Sequence, residues 1–449
     1  MQVQTPDTSV PSLRRSLTLW DLILYGVIVI QPVAPMSVFG VLSDRGHGHV
    51  VTTILVAMVG MLFTAISYGR MARVYPSAGS AFTYVGQEIN PVLGYITGWS
   101  MVMDYMLNPI ITTIWCSQQA HVFAPQLPYW TWAIFFVAVF TALNIQGVKT
   151  SARVNAALAA GMGAVIAVFF VAAARYFLHC SDHHAASLTR PFYDPATFDF
   201  RAVLGSTSIA VLTYIGFDGI STLSEEAENP RRNILLATVL TCLVIGILSA
   251  CEVYAAQLIW PASEAFPNED TAFVSVAQRA WPPLFAILGF TLLVANFGSG
   301  MGAQLGAARL LYGMGRSNAL PRSFFGVVDP QRRVPRNNVL FVGLIALAGA
   351  FTMSYALGAE ILNFGALIAF MGVNAAALVH YYVREADRKI LNLLTPMAGF
   401  LICLMLWLGL SKPAKIAGVV WMSVGIAFGA WKTKGFRGNL IDFNVPEAS

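Results

Sequence analysis

The chain has 449 residues, of which 57% are hydrophobic and only 11% are charged. About a quarter of the residues of a soluble protein are charged, so this composition excludes a set of water-exposed globular domains. The net charge of +5 comes from basic residues near the ends of apolar runs rather than from a patch, which argues against a nucleic-acid partner.

Twelve apolar runs are long enough to cross a bilayer, because about 20 apolar residues span roughly 30 Å of hydrocarbon. We therefore predict an all-α integral membrane protein with twelve transmembrane helices, surrounded by membrane lipid. The predicted spans are residues 18–42, 50–70, 92–116, 128–144, 154–175, 202–224, 234–259, 283–308, 337–356, 359–381, 391–410 and 414–431.

Lys and Arg residues indicate the orientation of these spans. They are concentrated in the loops that share a side with the N-terminus, which is the distribution of cytoplasmic loops. We predict that residues 1–17 and 432–449 are cytoplasmic tails. The polar start, with Arg14 and Arg15 directly before the first apolar run and no small-residue cleavage site, predicts no cleaved signal.

The loops on the predicted outer side carry few chemical signals. His179, His183 and His184 lie in the first long outer loop, where a metal or pH role is an alternative to simple solvation. The five cysteines form no CxxC pair. The second long outer loop has a candidate short helix after Asn268. We predict neither a bound metal nor a cofactor.

Two spans are interrupted near mid-membrane. Span 1 contains the sequence QPVAP (31–35), and span 6 contains TYIGFDG (213–219). Prolines remove backbone hydrogen bonds, and backbone groups freed in this way must find partners in protein or in a water-lined cavity. Two broken spans, five apart and therefore antiparallel, favour an inverted repeat with a binding site at the midplane.

Three intramembrane acids support a functional site. Asp104 lies at the centre of span 3, Asp218 at the break of span 6, and Glu252 in the outer half of span 7. A charged side chain at the bilayer centre costs at least ~2.5–3.5 kcal/mol, so such residues face the interior of the helix bundle. In span 8, the small-residue stretch NFGSGMG (296–302) favours close helix packing. Its Ser299 is a candidate cation ligand.

The interrupted spans and the acids together predict a substrate site at mid-membrane, with tyrosine and phenylalanine rings adding cation–π contacts. The predicted coupling residues are Asp104, Glu252 and Ser299. The predicted substrate-binding residues are Gln31, Ala34, Ser37, Asp104, Tyr105, Tyr214, Gly216, Phe217 and Asp218.

Several segments resemble the amino acid–polyamine–organocation superfamily of permeases. They are YPSAGSAFTYV (75–85), GFDGISTLSEEAENPRRN (216–233) and ARLLYGMGRSNALPRSF (308–324). Within that superfamily, GWSMVMDY (98–105) and ILNFGALIAF (361–370) are similar to bacterial putrescine importers. The resemblance runs from the first to the last predicted span, and its motifs are more specific to the superfamily than to a substrate.

The resemblance implies a LeuT-like five-plus-five inverted repeat with broken helices 1 and 6. The repeats would cover about 18–175 and 202–381 within a core of residues 18–381, followed by two extra helices in 391–431. It also implies uptake through the bacterial inner membrane, driven by the proton motive force or by the membrane potential.

Three positions depart from the pattern of these relatives. Many amino acid permeases have a Gly-x-Gly turn in span 1, where this chain has IQPVAPMSVFG (30–40). Putrescine importers have an acid shortly before the glycine that matches Gly40, where this chain has Ser37. Glu252 occupies a position that is neutral in those importers. The first departure disfavours an α-amino acid, and the second disfavours putrescine itself.

Other classes of protein fit the sequence less well. A membrane enzyme needs a catalytic constellation within the spans, but the histidines are in loops or, like His380, at a span end. A primary pump needs a phosphate-binding GxxxxGK[ST] loop, which the sequence lacks. A channel and a non-transporting sensor remain alternatives. We predict a secondary transporter that imports a small amine, such as a polyamine, with proton- or sodium-coupled amino acid uptake as the alternative.

Overall fold

The computed structural model describes residues 17–76, 80–147, 152–179, 188–224, 226–316, 320–332, 334–385 and 388–436. Residues 1–16 and 437–449 of the predicted tails, as well as His183 and His184, lie outside these ranges. The described chain is helical, apart from loops and one isolated bridge between Leu17 and Ala227. The helices are α1 (Leu19–Ile30), α2 (Ala34–Arg45), α3 (Val50–Val74), α4 (Ser80–Glu88), α5 (Pro91–Phe123), α6 (Tyr129–Gln146), α7 (Ala152–His179), α8 (Phe200–Ala210), α9 (Pro230–Ile259), α10 (Ala272–Ala280), α11 (Leu284–Arg316), α12 (Arg322–Phe325), α13 (Arg336–Thr352), α14 (Tyr355–Leu378), α15 (Ile390–Gly409) and α16 (Lys412–Lys432).

The helices have the length and composition of membrane spans. Within the described ranges, nine are long and apolar enough to cross a bilayer, and the bent pair α1 and α2 makes a tenth. Helix α13 is apolar but shorter, and α5 is a further helix of 33 residues. The all-α membrane fold is confirmed, whereas the number of twelve spans and the inverted repeat stay predictions.

The first predicted break is confirmed. Helices α1 and α2 meet at an angle of 46°. Helix α1 begins with a capping box, in which Thr18 and Asp21 satisfy each other's backbone N–H groups. It ends before Pro32, and Pro35 stands in the first turn of α2, where its missing N–H has no helical partner to lose.

The sixth predicted span is also interrupted. Helix α8 ends at Ala210, and the chain continues through 3₁₀ turns at Val211–Thr213 and Phe217–Leu223. Between the two turns lies Gly216 with φ +123°, a backbone conformation that favours glycine. The span therefore has no continuous helix across its middle.

The position of each helix in the bundle follows from its burial. In the span Tyr355–Arg384, which includes α14, 72% of the residues of its apolar stretch are buried. The corresponding share is 28% in each of α6, α7, α15 and α16. These four helices expose large apolar side chains that only lipid can cover, such as Phe135, Val171, Leu401 and Val420. The bundle interior is left to α1–α3, α5, α8, α9 and α14.

The predicted short helix after Asn268 is confirmed as the 3₁₀ turn Glu269–Thr271 followed by α10. The Asn268 side chain caps it by accepting from the backbone N–H of Asp270 at 2.9 Å. This segment packs closely against α2. Gly40 makes the approach possible, since a Cβ at this position would collide with the carbonyl oxygen of Glu269. It therefore closes over one end of the bundle.

Candidate functional site

A cavity of about 510 Å³ lies where the two helix breaks meet α5, α7 and α11. It unites side chains that are far apart in the sequence. The site residues predicted from the sequence that line it are Gln31, Asp104, Tyr105, Gly216, Asp218 and Ser299. The two breaks and the middle of the third and eighth predicted spans therefore contribute to one space.

The cavity is acidic. Its described lining includes the carboxylates of Asp104 and Asp218 and no Lys, Arg or His side chain. The other polar side chains at the wall are the phenols of Tyr25 and Tyr105, the amides of Gln31 and Asn108, and the hydroxyl of Ser299. Low-dielectric walls with charge of one sign concentrate ligands of the opposite sign. Chemically, the space suits a small cation.

Gln31 holds the first break against α11. Its backbone has φ +66°, in the left-handed region that non-glycine residues rarely occupy. Its side-chain Nε2 donates to the carbonyl oxygen of Ala295 in α11 at 2.9 Å, and its own carbonyl accepts from the N–H of Ala34 at 2.9 Å. The freed backbone groups at the break thus find partners within the protein, as the apolar surroundings require.

Gly216 forms the second break and supports Asp218. Its backbone N–H donates to Oδ1 of Asp218 at 3.2 Å. A Cβ on Gly216 would lie 2.9 Å from Cγ1 of Val29 in α1, so only glycine fits where the breaks approach each other. A backbone N–H that donates to a carboxylate stabilises its negative charge. The same hydrogen bond fixes the orientation of the Asp218 side chain.

Helix α5 contributes Asp104 and, one turn later, Asn108. Residues four apart lie on the same helix face, and both side chains line the cavity with Tyr105 beside them. The Tyr105 side chain is 43% exposed. This face of α5 therefore offers a carboxylate, an amide and an aromatic ring to a bound ligand.

The small-residue stretch in α11 has two roles. A Cβ on Gly298 or Gly302 would meet no atom within 4 Å, whereas on Gly300 it would lie 2.6 Å from Oγ1 of Thr112. Gly298, Ser299 and Gly302 line the cavity, while Gly300 allows α11 to pack closely on α5. The predicted packing role therefore holds for the face with Gly300, whereas the face with Gly298, Ser299 and Gly302 borders the cavity.

Tyr214 and Phe217 do not line the cavity, although the sequence analysis assigned them to the site. Tyr214 is buried and donates from its hydroxyl to the carbonyl oxygen of Ile54 at 2.9 Å. The ring of Phe217 packs 5.6 Å from Tyr68 and 5.4 Å from Phe370, between centroids. Ile215, Gly216, Asp218 and Gly219 line the cavity instead, so these two rings are not placed for contact with a ligand there.

Ala34 and Ser37, in α2, also lie outside the cavity wall. The Ser37 hydroxyl is buried and accepts from Nδ2 of Asn296 at 3.1 Å. The Ser37 carbonyl accepts from the indole N–H of Trp115 at 3.2 Å. These contacts fasten α2 to α11 and α5, so Ser37 acts structurally in this conformation.

Glu252 lies in α9, away from the cavity. The side chain is fully buried, and neither carboxylate oxygen has a hydrogen-bond partner among the described residues. Buried polar groups are almost always paired, and an unpaired buried charge is far more costly than a neutral carboxyl. An unpaired carboxyl of this kind is a candidate proton-binding group.

Sequence analysis missed three polar residues. Tyr25 and Asn108 line the cavity, and the i, i+4 spacing from Asp104 is the signal that could have identified Asn108. Glu360 in α14 is buried, and its carboxylate accepts from the hydroxyl and the backbone N–H of Ser411, the N-cap of α16. Since Glu360 stabilises a helix start, it belongs to the packing of the bundle.

Aromatic rings pack together on the α2 side of the first break. Phe39 in α2 lies 5.7 Å from Phe266 and 5.4 Å from Phe273 in α10, and Phe273 lies 4.8 Å from Phe169 in α7. The cavity itself lies on the α1 side of the break, where Tyr25 and three other residues of the first predicted span line it. The cavity is therefore lined from α1 and not from α2, the half of the span that the basic residues predict to be outer.

Comparisons with known proteins agree with this architecture. The amino acid permease family matches residues 33–436. The low-affinity putrescine importer PlaP of Escherichia coli is 35% identical over 96% of this chain and 97% of its own length. The branched-chain amino acid permease BcaP of Lactococcus lactis is 25% identical over 92% of this chain and 93% of its own length. The methylthioribose transporter of Bacillus subtilis is 24% identical over 92% of both chains. The chain therefore belongs to the amino acid permease family, within the amino acid–polyamine–organocation superfamily of membrane transporters.

Proposed function

We propose that the protein is a secondary transporter that imports a small amine, with a polyamine such as putrescine as the substrate, across the bacterial inner membrane. The observation that carries this proposal is the pair of carboxylates, Asp104 and Asp218, in a cavity whose described lining has no basic side chain. A diamine carries two positive charges, which would balance both carboxylates in a space that excludes lipid.

The hydrogen bonding of the two acids supports different tasks for them. Asp218 already accepts from the N–H of Gly216, so the break fixes its orientation. Asp104 stands on the continuous helix α5 beside Tyr105 and Asn108. One ammonium group of the substrate would meet Asp104 with Tyr105 packed against it, and the second would meet Asp218 at the break.

The relatives support this choice of substrate. The one at 35% identity is a putrescine importer, whereas the branched-chain amino acid permease is 25% identical. An amino acid would also need donors for its carboxylate. The first break has Gln31 and two prolines where a glycine turn would expose such donors, and the Gln31 amide donates to Ala295 instead.

Energy for uptake comes from the membrane potential or the proton gradient. One elementary charge that crosses the membrane gains ~2.3 kcal/mol per 100 mV, so a diamine with two charges can accumulate without a coupled ion. Protons are the second source of energy, and Glu252, with its unpaired buried carboxyl, is our proposed proton carrier. Asp104 and Ser299 at the cavity are further coupling groups, and Ser299 would suit sodium.

The test is a ligand panel on the purified protein in detergent. Putrescine, cadaverine, spermidine, leucine and valine are added at one concentration, and thermal stability is measured. A ligand present at 100 times its Kd stabilises the folded state by about 2.7 kcal/mol. The proposal predicts stabilisation by the diamines and competition among them. Stabilisation by leucine and valine alone would establish the amino acid permease alternative.

A further inference from the structure

A buried ionic cluster lies outside the cavity, at the side that the basic residues predict to be cytoplasmic. Its centre is Glu88, the last residue of α4, whose side chain is only 1% exposed. The hydroxyl of Tyr75 donates to Oε1 of Glu88 at 2.7 Å, and Nη1 of Arg384 lies 3.1 Å from Oε2. Nδ1 of His380 lies 2.6 Å from Oε1.

His380 lies between two carboxylates. Its Nδ1 faces Glu88, and its Nε2 lies 3.3 Å from Oε1 of Glu385, whose side chain is 51% exposed. Because an ionised carboxylate only accepts hydrogen bonds, the neutral imidazole carries its proton on Nδ1. Nε2 is then the position for a second proton, and that proton would turn the contact with Glu385 into a charged hydrogen bond.

A π-helical turn at the end of α14 creates this arrangement. Residues 379–384 form π-type hydrogen bonds, a rare geometry that is frequent at functional sites. It presents His380 and Arg384 together to the single carboxylate of Glu88. The next residue, Tyr381, is held apart from this contact, since its hydroxyl donates to the carbonyl of Arg70 at 2.9 Å.

Other charged groups surround the turn that carries His380. The Arg70 guanidinium lies 3.8 Å above the ring of Tyr381 and donates to Oδ1 of Asn392 at 2.6 Å. The charged and titratable groups near His380 or its helical turn are Arg70, Arg73, Tyr75, Glu88, Tyr381, Arg384 and Glu385. The two carboxylates at His380 are the nearest of them.

Helix α4 connects this cluster to the substrate site. Its buried face runs from Ser80 to Glu88. The Ser80 hydroxyl lies 2.8 Å from that of Ser221, and Ser221 donates to the carbonyl oxygen of Asp218 at 2.6 Å. The inner half of the sixth predicted span is thus hydrogen-bonded to one end of α4, and His380 is bonded to the other.

We propose that His380, Glu88 and Glu385 form a cytoplasmic proton-binding latch that regulates transport, coupled to Asp218 through α4. The latch joins α4, in the first predicted repeat, to α14, in the second. Since alternating access moves the repeats against each other, such a contact forms in one conformation and opens in another. Here the contact is formed while the cavity is lined from the α1 side of the break, so a second proton on His380 stabilises this conformation and slows its return.

This regulation rests on the proposed transport function and has a direct experiment. The protein is reconstituted in proteoliposomes with fixed external pH and a clamped membrane potential, and putrescine uptake is measured at internal pH of about 6 and about 7.5, since histidine changes its charge in this range. The latch predicts uptake that is roughly fivefold slower at the lower pH, a size typical of coupling between sites. His380→Gln and Glu385→Gln should remove most of that difference, while the exposed outer His179→Gln should keep it.

A second readout does not depend on transport. Hydrogen exchange of the backbone in Ser80–Glu88 should be slower at about pH 6 than at about pH 7.5, after correction for intrinsic exchange, in the wild type and in His179→Gln but not in His380→Gln. Equal pH dependence of exchange in wild type and His380→Gln overturns the latch. If the wild type transports no amine at any pH, the proposed function fails, and the exchange measurement still decides whether the latch exists.

Discussion

The backbone N–H of Gly216 donates a hydrogen bond to Oδ1 of Asp218 at 3.2 Å, across the break of the sixth predicted span. The same glycine has φ +123° and approaches Val29 in α1. One residue thus orients a cavity carboxylate and lets the two broken spans meet. The break is therefore part of the site and not only a kink in a helix.

Gly216→Ala is expected to abolish transport and to destabilise the protein. The new Cβ would lie 2.9 Å from Cγ1 of Val29, and alanine would be strained at φ +123°. Strain of this kind costs of order 1–3 kcal/mol. Uptake and thermal stability would be measured beside Gly161→Ala, where a Cβ meets no atom within 4 Å. Normal uptake by Gly216→Ala would show that the break tolerates a side chain.

Asp104→Asn is expected to reduce amine uptake by about one to two orders of magnitude at normal membrane expression. The substitution removes a charge from the cavity wall while it preserves the side-chain shape, and charge-assisted hydrogen bonds contribute about 1.5–3 kcal/mol. Initial uptake rates would be compared with those of Asp44→Asn, an exposed residue at the end of α2. Transport near the wild-type rate would remove Asp104 from the substrate site.

Glu252→Gln is expected to separate proton coupling from substrate movement. If the carboxyl carries the coupled proton, the amide cannot, because it does not titrate. Accumulation driven by a pH gradient should disappear, while exchange of labelled for unlabelled substrate continues. Buried Glu360→Gln serves as a comparison, since Glu360 accepts hydrogen bonds from Ser411. Unchanged pH-driven accumulation in Glu252→Gln would assign Glu252 to packing.

Asp270, in the 3₁₀ turn that packs over α2, should make the outer closure sensitive to pH. Burial, and secondarily the neighbouring charge of Glu269, raise the pKa of Asp270 from 3.8 to about 6. The Asp270 carboxyl therefore binds its proton more tightly when the turn is packed over α2 than in an open form in which Asp270 is solvated. The contribution of protonated Asp270 to the stability of the closed form is fully present below about pH 4. It is lost as the pH rises through about 6.

The corresponding measurement compares Asp270→Asn with the wild type in thermal unfolding between about pH 4 and about pH 8. The amide imitates the neutral acid, so the variant should match the wild type at the low end and exceed its stability at the high end. A constant difference between Asp270→Asn and wild type across this range would contradict the assignment.

Much of the bundle could be predicted because lipid selects apolar runs and penalises interrupted helices. The break at 31–35 is visible as two prolines, and the break near Gly216 as two glycines around an acid. Both appear in the structure. Asp104 and Asp218 were found because an acid within an apolar run is rare, and the structure brings them to one cavity.

The rest depends on geometry that the sequence does not encode locally. Tyr214 and Phe217 flank Gly216, but a backbone outside helical and strand periodicity directs them into the core. Glu88 is the last residue of α4 and Glu360 lies in the second turn of α14, and only the tertiary structure shows that both are buried and paired. Periodicity predicts which face a residue occupies only while the helix continues.

The most direct test of the proposed function is uptake by proteoliposomes under a potassium-diffusion potential, inside negative, without pH or sodium gradients. A diamine with two charges gains about 4.6 kcal/mol per 100 mV, which corresponds to roughly thousandfold accumulation. A zwitterionic amino acid gains nothing from the potential alone. The account predicts strong accumulation of putrescine that collapses when valinomycin is added at equal potassium on both sides. Accumulation of amino acids only, and only with an added ion gradient, would contradict it.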